Sequence, residues 1–232
     1  MVSKVYKKNY SNGLKNVVLA KEIQFTGNSR KCCICFIDVV DSTRITIIEI
    51  TDPEKMKRFY SIFINTMAAI ARSFGANIIK NTGDSLIYYF PETVDSPNNM
   101  AAFKNVFECG LTMISVNPIV NIKLQNEHVL PNLSYRISAD YGRVEVATSL
   151  TSANEDLFGP AVNLCAKINY KAEPNGMVIG NNLYQITKAL CGNNYHFNKI
   201  DEYPIDDNFN NHYSVYSVAS KEKQSDDENL KM

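Results

Sequence analysis

The sequence predicts an α+β domain with a mainly antiparallel sheet and helices on one face. Two observations carry this prediction. Apolar runs of strand length alternate with amphipathic segments of helical spacing, and neighbouring runs are often joined by tight turns. The chain has 232 residues, 45% of them hydrophobic, which is enough for one large domain with a sizeable core.

Spacing and turn residues set the bounds of the expected elements. Pro53 suits the first turn of a helix that Asp52 caps, and Asn81-Thr82-Gly83-Asp84 is typical of a hairpin turn. The expected elements are, in chain order, a strand at 32–40, a helix at 53–74, strands at 77–80 and 85–90, a helix at 97–115, a loop at 117–131, strands at 133–140 and 143–149 joined by a Tyr141-Gly142 turn, a helix at 160–170, a strand at 177–179, a helix at 181–190, and strands at 195–203 and 212–219.

Composition argues against several classes of protein. The 24 basic and 24 acidic residues give a formal net charge of zero, so nothing attracts the chain generally to nucleic acid or to an anionic membrane. No stretch approaches the about 18 apolar residues of a transmembrane helix, and no apolar run of a secretory signal follows the lysine-rich start. The six cysteines lack zinc spacing and are expected to be small buried hydrophobes in a reducing compartment. We therefore expect a cytoplasmic protein with no nucleic-acid or membrane partner.

Two polar stretches place a carboxylate where an apolar run ends. Asp38 lies in the stretch 36–43, and Asp84 closes the stretch 80–84. Two such carboxylates can jointly hold divalent cations, which phosphoryl chemistry requires. The plainer alternatives are that Asp38 or Asp41 caps a helix and that Asp84 is an ordinary turn residue.

A third stretch, residues 156–167, places Asn163 and Lys167 at positions i and i+4 of a helix that begins near Pro160. The two side chains then share one face, which is either a ligand-binding face or an ordinary solvated one. Backbone amides of residues 39–43, at the start of a helix, also suit a phosphate.

Together the three stretches resemble the catalytic domain of class III nucleotidyl cyclases, the adenylyl and guanylyl cyclases, over about residues 31–190. The first family motif, Phe-x-Asp-Ile/Val-x-Gly-Phe/Ser-Thr, is matched by Phe36, Asp38, Val39, Ser42 and Thr43. The second, Lys-x-x-Gly-Asp, is matched by Lys80, Gly83 and Asp84. The third, Asp-x-x-Gly-x-x-Val-Asn-x-x-x-Arg, is matched by Asp156, Gly159, Val162 and Asn163, with Lys167 at the arginine position.

The resemblance implies a ferredoxin-like nucleotide cyclase fold over residues 31–219, preceded by an extension at 1–30 and followed by a disordered charged tail at 220–232. It implies an adenylate cyclase for cyclic nucleotide signalling, which converts ATP to 3′,5′-cyclic AMP and pyrophosphate with two Mg²⁺ or Mn²⁺ ions per site.

The resemblance also implies a role for each matched residue. The metal ligands are Asp38, Val39 through its carbonyl, and Asp84. The residues beside the phosphates are Asp41, Ser42 and Thr43. The purine-selecting pair is Lys80 and Asp156, and the catalytic residues are Asn163, which orients the ribose, and Lys167, which stabilises charge on the α-phosphate. In this family the active sites lie at the interface of a head-to-tail homodimer, with the two metal-binding aspartates from one chain and the last four residues from the other.

Three departures from the family pattern weaken the match. Lys167 replaces an arginine and loses its planar fork, and Asp41 replaces a glycine. Residues 195–219 lack the basic, glycine-containing loop that many members direct at the terminal phosphates, where Lys199 is only a weak substitute. The alternative is a weakly active or inactive module for nucleotide binding or dimerisation in signal transduction. A diguanylate-cyclase or polymerase-palm relative is disfavoured, because the sequence has no Gly-Gly-Asp/Glu-Glu-Phe turn.

Overall fold

The computed structural model describes residues 23–149, 155–191, 194–204 and 212–221. The helices and strands in these residues are, in chain order, β1 Ile23–Val39, α1 Ser42–Arg44, α2 Pro53–Ser73, β2 Asn77–Thr82, β3 Ser85–Phe90, α3 Met100–His128, β4 Tyr135–Ser149, β5 Glu155–Phe158, α4 Pro160–Ile168, β6 Gly176–Gly180, α5 Asn181–Cys191, β7 Tyr195–Pro204 and β8 His212–Ser220. A π-helical turn, Ile45–Glu49, directly continues α1.

The strands form one sheet in the order β2-β3-β1-β4-β6-β8-β7, and β5 pairs with β4 beside this path. β4 and β6 are parallel, and the other pairs among the described residues are antiparallel. The connection between β4 and β6 passes through α4, as a parallel pair requires a crossover. The prediction of an α+β domain with a mainly antiparallel sheet is confirmed.

Helices lie on both faces of the sheet, which explains why residues 32–35 of β1 are buried without alternation. Cys33, Cys35 and Ile37 belong to the main core with residues of α2, α3 and α5. Cys32 and Ile34 belong to a smaller cluster on the opposite face with residues of α4. Thus three long helices lie on one face, as expected, and α4 covers part of the other. All six cysteines are buried and free, which confirms their expected role.

The expected loop at 117–131 is wrong, because α3 continues to His128 with Pro118 inside it. The helix continues because Val120 and Leu124 extend the buried stripe of α3. The side chain of Asn121 also bonds both backbone groups of Leu133, accepting from its N–H and donating to its carbonyl. These tertiary contacts outweigh the local effect of a proline in a helix.

The expected turn at Tyr141-Gly142 is also wrong, because β4 runs through it without a break. A Cβ atom on Gly142 would lie 3.1 Å from the Cβ of Ala161 on α4. The glycine therefore allows the close approach of α4 to the sheet.

The expected extension at 1–30 includes residues that belong to the sheet, since β1 begins at Ile23 and pairs with β4 from there. Residues 1–22, and residues 222–232 of the expected tail, lie outside the described part of the chain. In the described part, none of the helices has the length and apolar character needed to cross a membrane.

A buried carboxylate, Asp140, joins β4, α5 and β8. It accepts hydrogen bonds from the Tyr213 hydroxyl (2.6 Å), the Tyr141 N–H (2.8 Å) and the Leu183 N–H (3.3 Å). Burial raises the pKa of Asp140 to about 6, and the three donors offset part of that effect. The ionised form of Asp140 therefore depends on these three donors, and the donor from β8 is the hydroxyl of Tyr213.

We predict that Tyr213→Phe lowers the free energy of unfolding by about 1.5–3 kcal/mol, because it leaves a buried charged acceptor short of a donor. Urea unfolding at pH 8 measures this effect. Tyr216→Phe on the same strand is the matched control, since its hydroxyl makes no hydrogen bond among the described residues and its ring stacks on Tyr184. Equal losses in the two variants would contradict the assigned role of Tyr213.

Candidate active site

Strand pairing brings Asp38 and Asp84 together. Asp38 lies near the end of β1, opposite Ser85 on β3 and opposite Arg136 on β4. Asp84 immediately precedes β3 in the hairpin turn, and its carbonyl accepts a hydrogen bond from the Val39 N–H at 3.2 Å. The two carboxylates therefore reach the same cleft from neighbouring strands.

The charge on Asp38 is unfavourable in this structure. Burial and, secondly, the nearby Asp84 carboxylate raise the pKa of Asp38 to about 6, while Arg136 partly offsets the shift. A cation between the two carboxylates would offset both causes, because it attracts the Asp38 charge and neutralises the Asp84 charge. The electrostatics of the cleft therefore favour a bound cation.

The cleft has a volume of about 550 Å³ and opens beside α1 and its π-helical continuation. Its lining residues are Asp38, Val39, Asp41, Ser42, Thr43, Arg44, Ile47, Ile48, Asp84 and Arg136. The Ser42 hydroxyl donates a hydrogen bond to Oδ2 of Asp84. All six residues that the first two motifs assign to metal or phosphates thus line one cleft.

The donor set of the cleft suits a hard divalent ion. Carboxylate and backbone carbonyl oxygens are the ligands that Mg²⁺ and Mn²⁺ prefer. In the described residues, no three or more His, Cys, Asp or Glu side chains are placed so that they could hold one metal ion together. Mg²⁺ usually takes only one or two protein carboxylates and completes its shell with water and substrate phosphates, so two aspartates fit the expected ions.

Asp41 adopts a left-handed backbone conformation, with φ 53° and ψ 31°. This conformation explains why a glycine suits the position, and aspartate is among the few other residues that tolerate it. Asp41 precedes α1, but its side chain makes no capping hydrogen bond. The interpretation of Asp41 as a helix cap is therefore wrong, and its charge is exposed in the cleft.

Lys80 and Asp156 form an ion pair, with 2.6 Å between Nζ and Oδ2. A β-bulge between Ile78 and Lys80 in β2 shifts the pairing with β3 by one residue. Oδ1 of Asp156 accepts the N–H of Leu157 at 3.0 Å. The two expected purine-selecting residues, 76 positions apart in the chain, thus lie within hydrogen-bond distance.

Asn163 and Lys167 lie on α4 and are exposed, so their expected shared face is observed. The Nζ atom of Lys167 lies 5.5 Å from the ring centroid of Tyr203 on β7. Cationic side chains are attracted to the face of an aromatic ring at this distance.

Four of the ten predicted site residues do not line this cleft. Of the described residues that line the cleft, none is Lys80, Asp156, Asn163 or Lys167. Lys80 lies two strands across the sheet from β1, which is about 10 Å at the usual strand spacing. The fold of one chain therefore does not bring these four residues into the lining of the cleft.

Arg136 was missed by the reasoning from sequence. It lies beside Asp38 on β4, and its Nε donates to the Ala172 carbonyl at 2.8 Å, which fixes the guanidinium at the cleft. No neighbouring residue in the sequence indicates that Arg136 belongs to the cleft. Only the register of β1 against β4 places it beside Asp38. The weak candidate Lys199, by contrast, pairs with Glu202 on exposed β7.

Three comparisons relate this chain to known proteins. The sequence model of the adenylate and guanylate cyclase catalytic domain matches residues 26–219. A comparison with curated protein sequences finds no match.

Among solved structures, the guanylyl cyclase Cya2 is 20% identical, with a TM-score of 0.70, and the match covers 83% of this chain and 93% of that one. The adenylyl cyclase CyaB from P. aeruginosa is 19% identical, with a TM-score of 0.69, covering 85% of this chain and 96% of that one. The guanylate cyclase domain of RhGC from Catenaria anguillulae, in complex with GTP, is 16% identical, with a TM-score of 0.65, covering 84% and 99%. At these identities the structures establish the fold.

We predict that Asp38→Asn stabilises the metal-free protein by about 1–2 kcal/mol at pH 8, after allowing for solvent screening. A raised pKa means that the folded state prefers the protonated carboxyl, so stability falls as the pH rises from about 4, the unfolded value, through about 6. The asparagine is neutral throughout. Its advantage should therefore vanish below about pH 4 and be complete above about pH 7.

Chemical unfolding in EDTA at several pH values measures this difference. Asp41→Asn is the matched control, because it removes an exposed charge from the same cleft and asparagine also tolerates the left-handed conformation. An advantage of Asp38→Asn that does not change between pH 4 and pH 8 would contradict the electrostatic account.

Proposed function

This chain belongs to the family of adenylate and guanylate cyclase catalytic domains, and from that premise we propose that it is an adenylate cyclase. It would convert ATP to 3′,5′-cyclic AMP and pyrophosphate for intracellular signalling. The observation that carries the proposal is the cleft of about 550 Å³ in which Asp38 and Asp84 meet and whose electrostatics favour a bound cation. Class III cyclase domains use divalent metals, and the donor set of this cleft suits them.

Asp38, Asp84 and the Val39 carbonyl would hold two Mg²⁺ or Mn²⁺ ions per site. When bound, such ions lower the pKa of the ribose 3′-hydroxyl and neutralise the phosphate oxygens. The Ser42 hydroxyl fixes the Asp84 carboxylate, so this ligand is oriented before any ion arrives. In the proposed reaction the 3′-hydroxyl would lose its proton to water and its oxygen would attack the α-phosphorus in line, while the bond from the α-phosphorus to the bridging oxygen breaks and pyrophosphate leaves.

Phosphates would lie along the start of α1. Ser42, Thr43 and the backbone amides there are donors, and the Asp41 side chain does not occupy those amides. We propose that Arg136 contacts the terminal phosphates, because its guanidinium lines the cleft. This contact would replace that of the basic loop, which residues 195–219 lack. The exposed charge of Asp41 opposes phosphate binding and places a limit on substrate affinity.

Lys80 and Asp156 would select adenine. The ammonium of Lys80 has three N–H donors and gives one to Asp156, so others remain for the acceptor N1 of adenine. The Asp156 carboxylate can accept from the 6-amino group through its remaining lone pairs. Guanine reverses this pattern and would leave both groups badly paired.

Asn163 would orient the ribose, and Lys167 would stabilise the charge that develops on the α-phosphate. Because these residues and the purine-selecting pair do not line the metal cleft of their own chain, we propose a head-to-tail homodimer. Each of its two sites would join the cleft of one chain to Lys80, Asp156, Asn163 and Lys167 of the other.

A cyclase assay tests the proposed reaction. Purified protein with Mn²⁺ and ATP should form cyclic AMP, and Asp38→Ala should reduce the product to background. GTP in parallel should react about 10- to 100-fold more slowly, the cost of one or two mispaired polar groups. Faster turnover of GTP would show that the adenine assignment is wrong. No cyclic nucleotide above the Asp38→Ala level would favour the inactive-module alternative.

Subunit complementation tests the dimer. Asp38→Ala and the double variant Lys80→Ala/Lys167→Ala should each be inactive, but an equal mixture should recover about a quarter of wild-type activity, since half of the dimers are mixed and each has one intact site. Asp38→Ala mixed with Asp84→Ala is the matched control and should stay inactive, because both changes affect the same half-site. Recovery in neither mixture would contradict the shared active site.

A further inference from the structure

Two contacts join β7 to the C-terminal end of α4 and the turn that follows it. The ring of Tyr203 lies under the Lys167 ammonium, 5.5 Å from Nζ to centroid, and Asp201 forms an ion pair with Lys171. Lys167 lies in the last turn of α4, and Lys171 ends the 3₁₀ turn Asn169–Lys171 that follows it.

Tyr203 is well fixed in the sheet. It pairs with Tyr213 across β7 and β8 and packs, with Leu164, on a buried cluster that includes Ile168. Tyr213 in turn is anchored by its hydrogen bond to Asp140. The ring of Tyr203 is therefore a rigid surface, whereas Lys167 is exposed and has four rotatable bonds.

We propose that Tyr203 is a positioning residue for Lys167, holding its ammonium at the face of α4 that also carries Asn163. The inference rests on the proposed function, in which Lys167 acts on the α-phosphate. An arginine there would be ordered by its own planar fork on the phosphate, but a lysine is a point charge on a flexible stem. The negative face of the ring restricts that charge to one region without donating or accepting a proton.

Kinetics of Tyr203 variants test the role. Tyr203→Leu should lower kcat for cyclic AMP formation about twofold to fivefold, the factor that an exposed cation–ring contact of about 0.5–1 kcal/mol supplies, and leave KM for ATP within twofold. Tyr203→Phe keeps the ring and should retain wild-type kcat. Tyr170→Leu is the matched control, because Tyr170 makes the same kind of contact, at 4.7 Å, with Lys171. It should leave kcat unchanged.

A double-mutant cycle separates positioning from a general loss of structure. In the Lys167→Met background no charge remains to be held, so Tyr203→Leu should cause no further fall in kcat. An equal fall in both backgrounds would show that Tyr203 acts only through stability and would overturn the proposal. A loss of activity in Tyr203→Phe as large as in Tyr203→Leu would overturn it as well.

NMR gives a readout that does not need activity. After reductive ¹³C-methylation, the Lys167 signal, assigned by its absence in Lys167→Met, should be shifted upfield by the ring. The shift should persist in Tyr203→Phe and disappear in Tyr203→Leu. An unshifted signal in an active enzyme would overturn the contact and leave the proposed reaction standing. A shifted signal with no cyclic nucleotide from wild-type protein would instead overturn the reaction, and with it the role of Tyr203 in turnover.

Discussion

The pairing of β1 with β3 on one side and β4 on the other is the constraint on which the site depends. This register places Asp38 opposite Ser85 on β3 and opposite Arg136 on β4. One end of β1 therefore brings together the Asp38 carboxylate, the Arg136 guanidinium and the hairpin that carries Asp84. Side chains alternate along a strand, so a slip of one residue would turn Asp38 into the core under α2 and α3. Such a slip would bury the Asp38 carboxylate among apolar side chains without a partner, which is costly. The pairing that places Asp38 at the cleft is therefore also the pairing that keeps its charge out of the core.

Two unfavourable local features lie at this strand end. Asp41 has a left-handed backbone, which costs a residue other than glycine on the order of 1–3 kcal/mol, and burial beside Asp84 works against the charge on Asp38. At Asp140, by contrast, three donors meet one buried carboxylate and offset part of the effect of burial. Strain and uncompensated charge persist only where the surrounding structure enforces them. Here the paired sheet enforces these features, and a cation bound in the cleft would relieve the unfavourable charge.

Local features were predictable from the sequence, and contacts between distant segments were not. The cap of α2 follows from Asp52 and Pro53, and the Asp52 side chain does accept the N–H of Glu54. The hairpin of β2 and β3 follows from its turn residues. By contrast, Gly142 was expected to mark a turn. The structural reason for a glycine there is the close approach of Ala161, which lies on α4 and not beside Gly142 in the sequence. Arg136 was missed for the same physical reason, since only the pairing of two strands about 100 residues apart gives it a role.

The metal cleft and the exposed face of α4 differ in charge. The cleft holds Asp38, Asp41 and Asp84 against Arg44 and Arg136, so its formal charge is negative. The exposed face of α4 offers the ammonium of Lys167 and the amide of Asn163. A nucleotide with its metal ions would lie between these surfaces, with anionic phosphates facing both the ions and Lys167. In the head-to-tail dimer proposed above, each chain supplies what the other lacks. A lysine at position 167 lacks the planar fork with which an arginine would orient itself on a phosphate. Its ammonium must then be oriented by a neighbouring surface, and we infer that this surface is the ring of Tyr203.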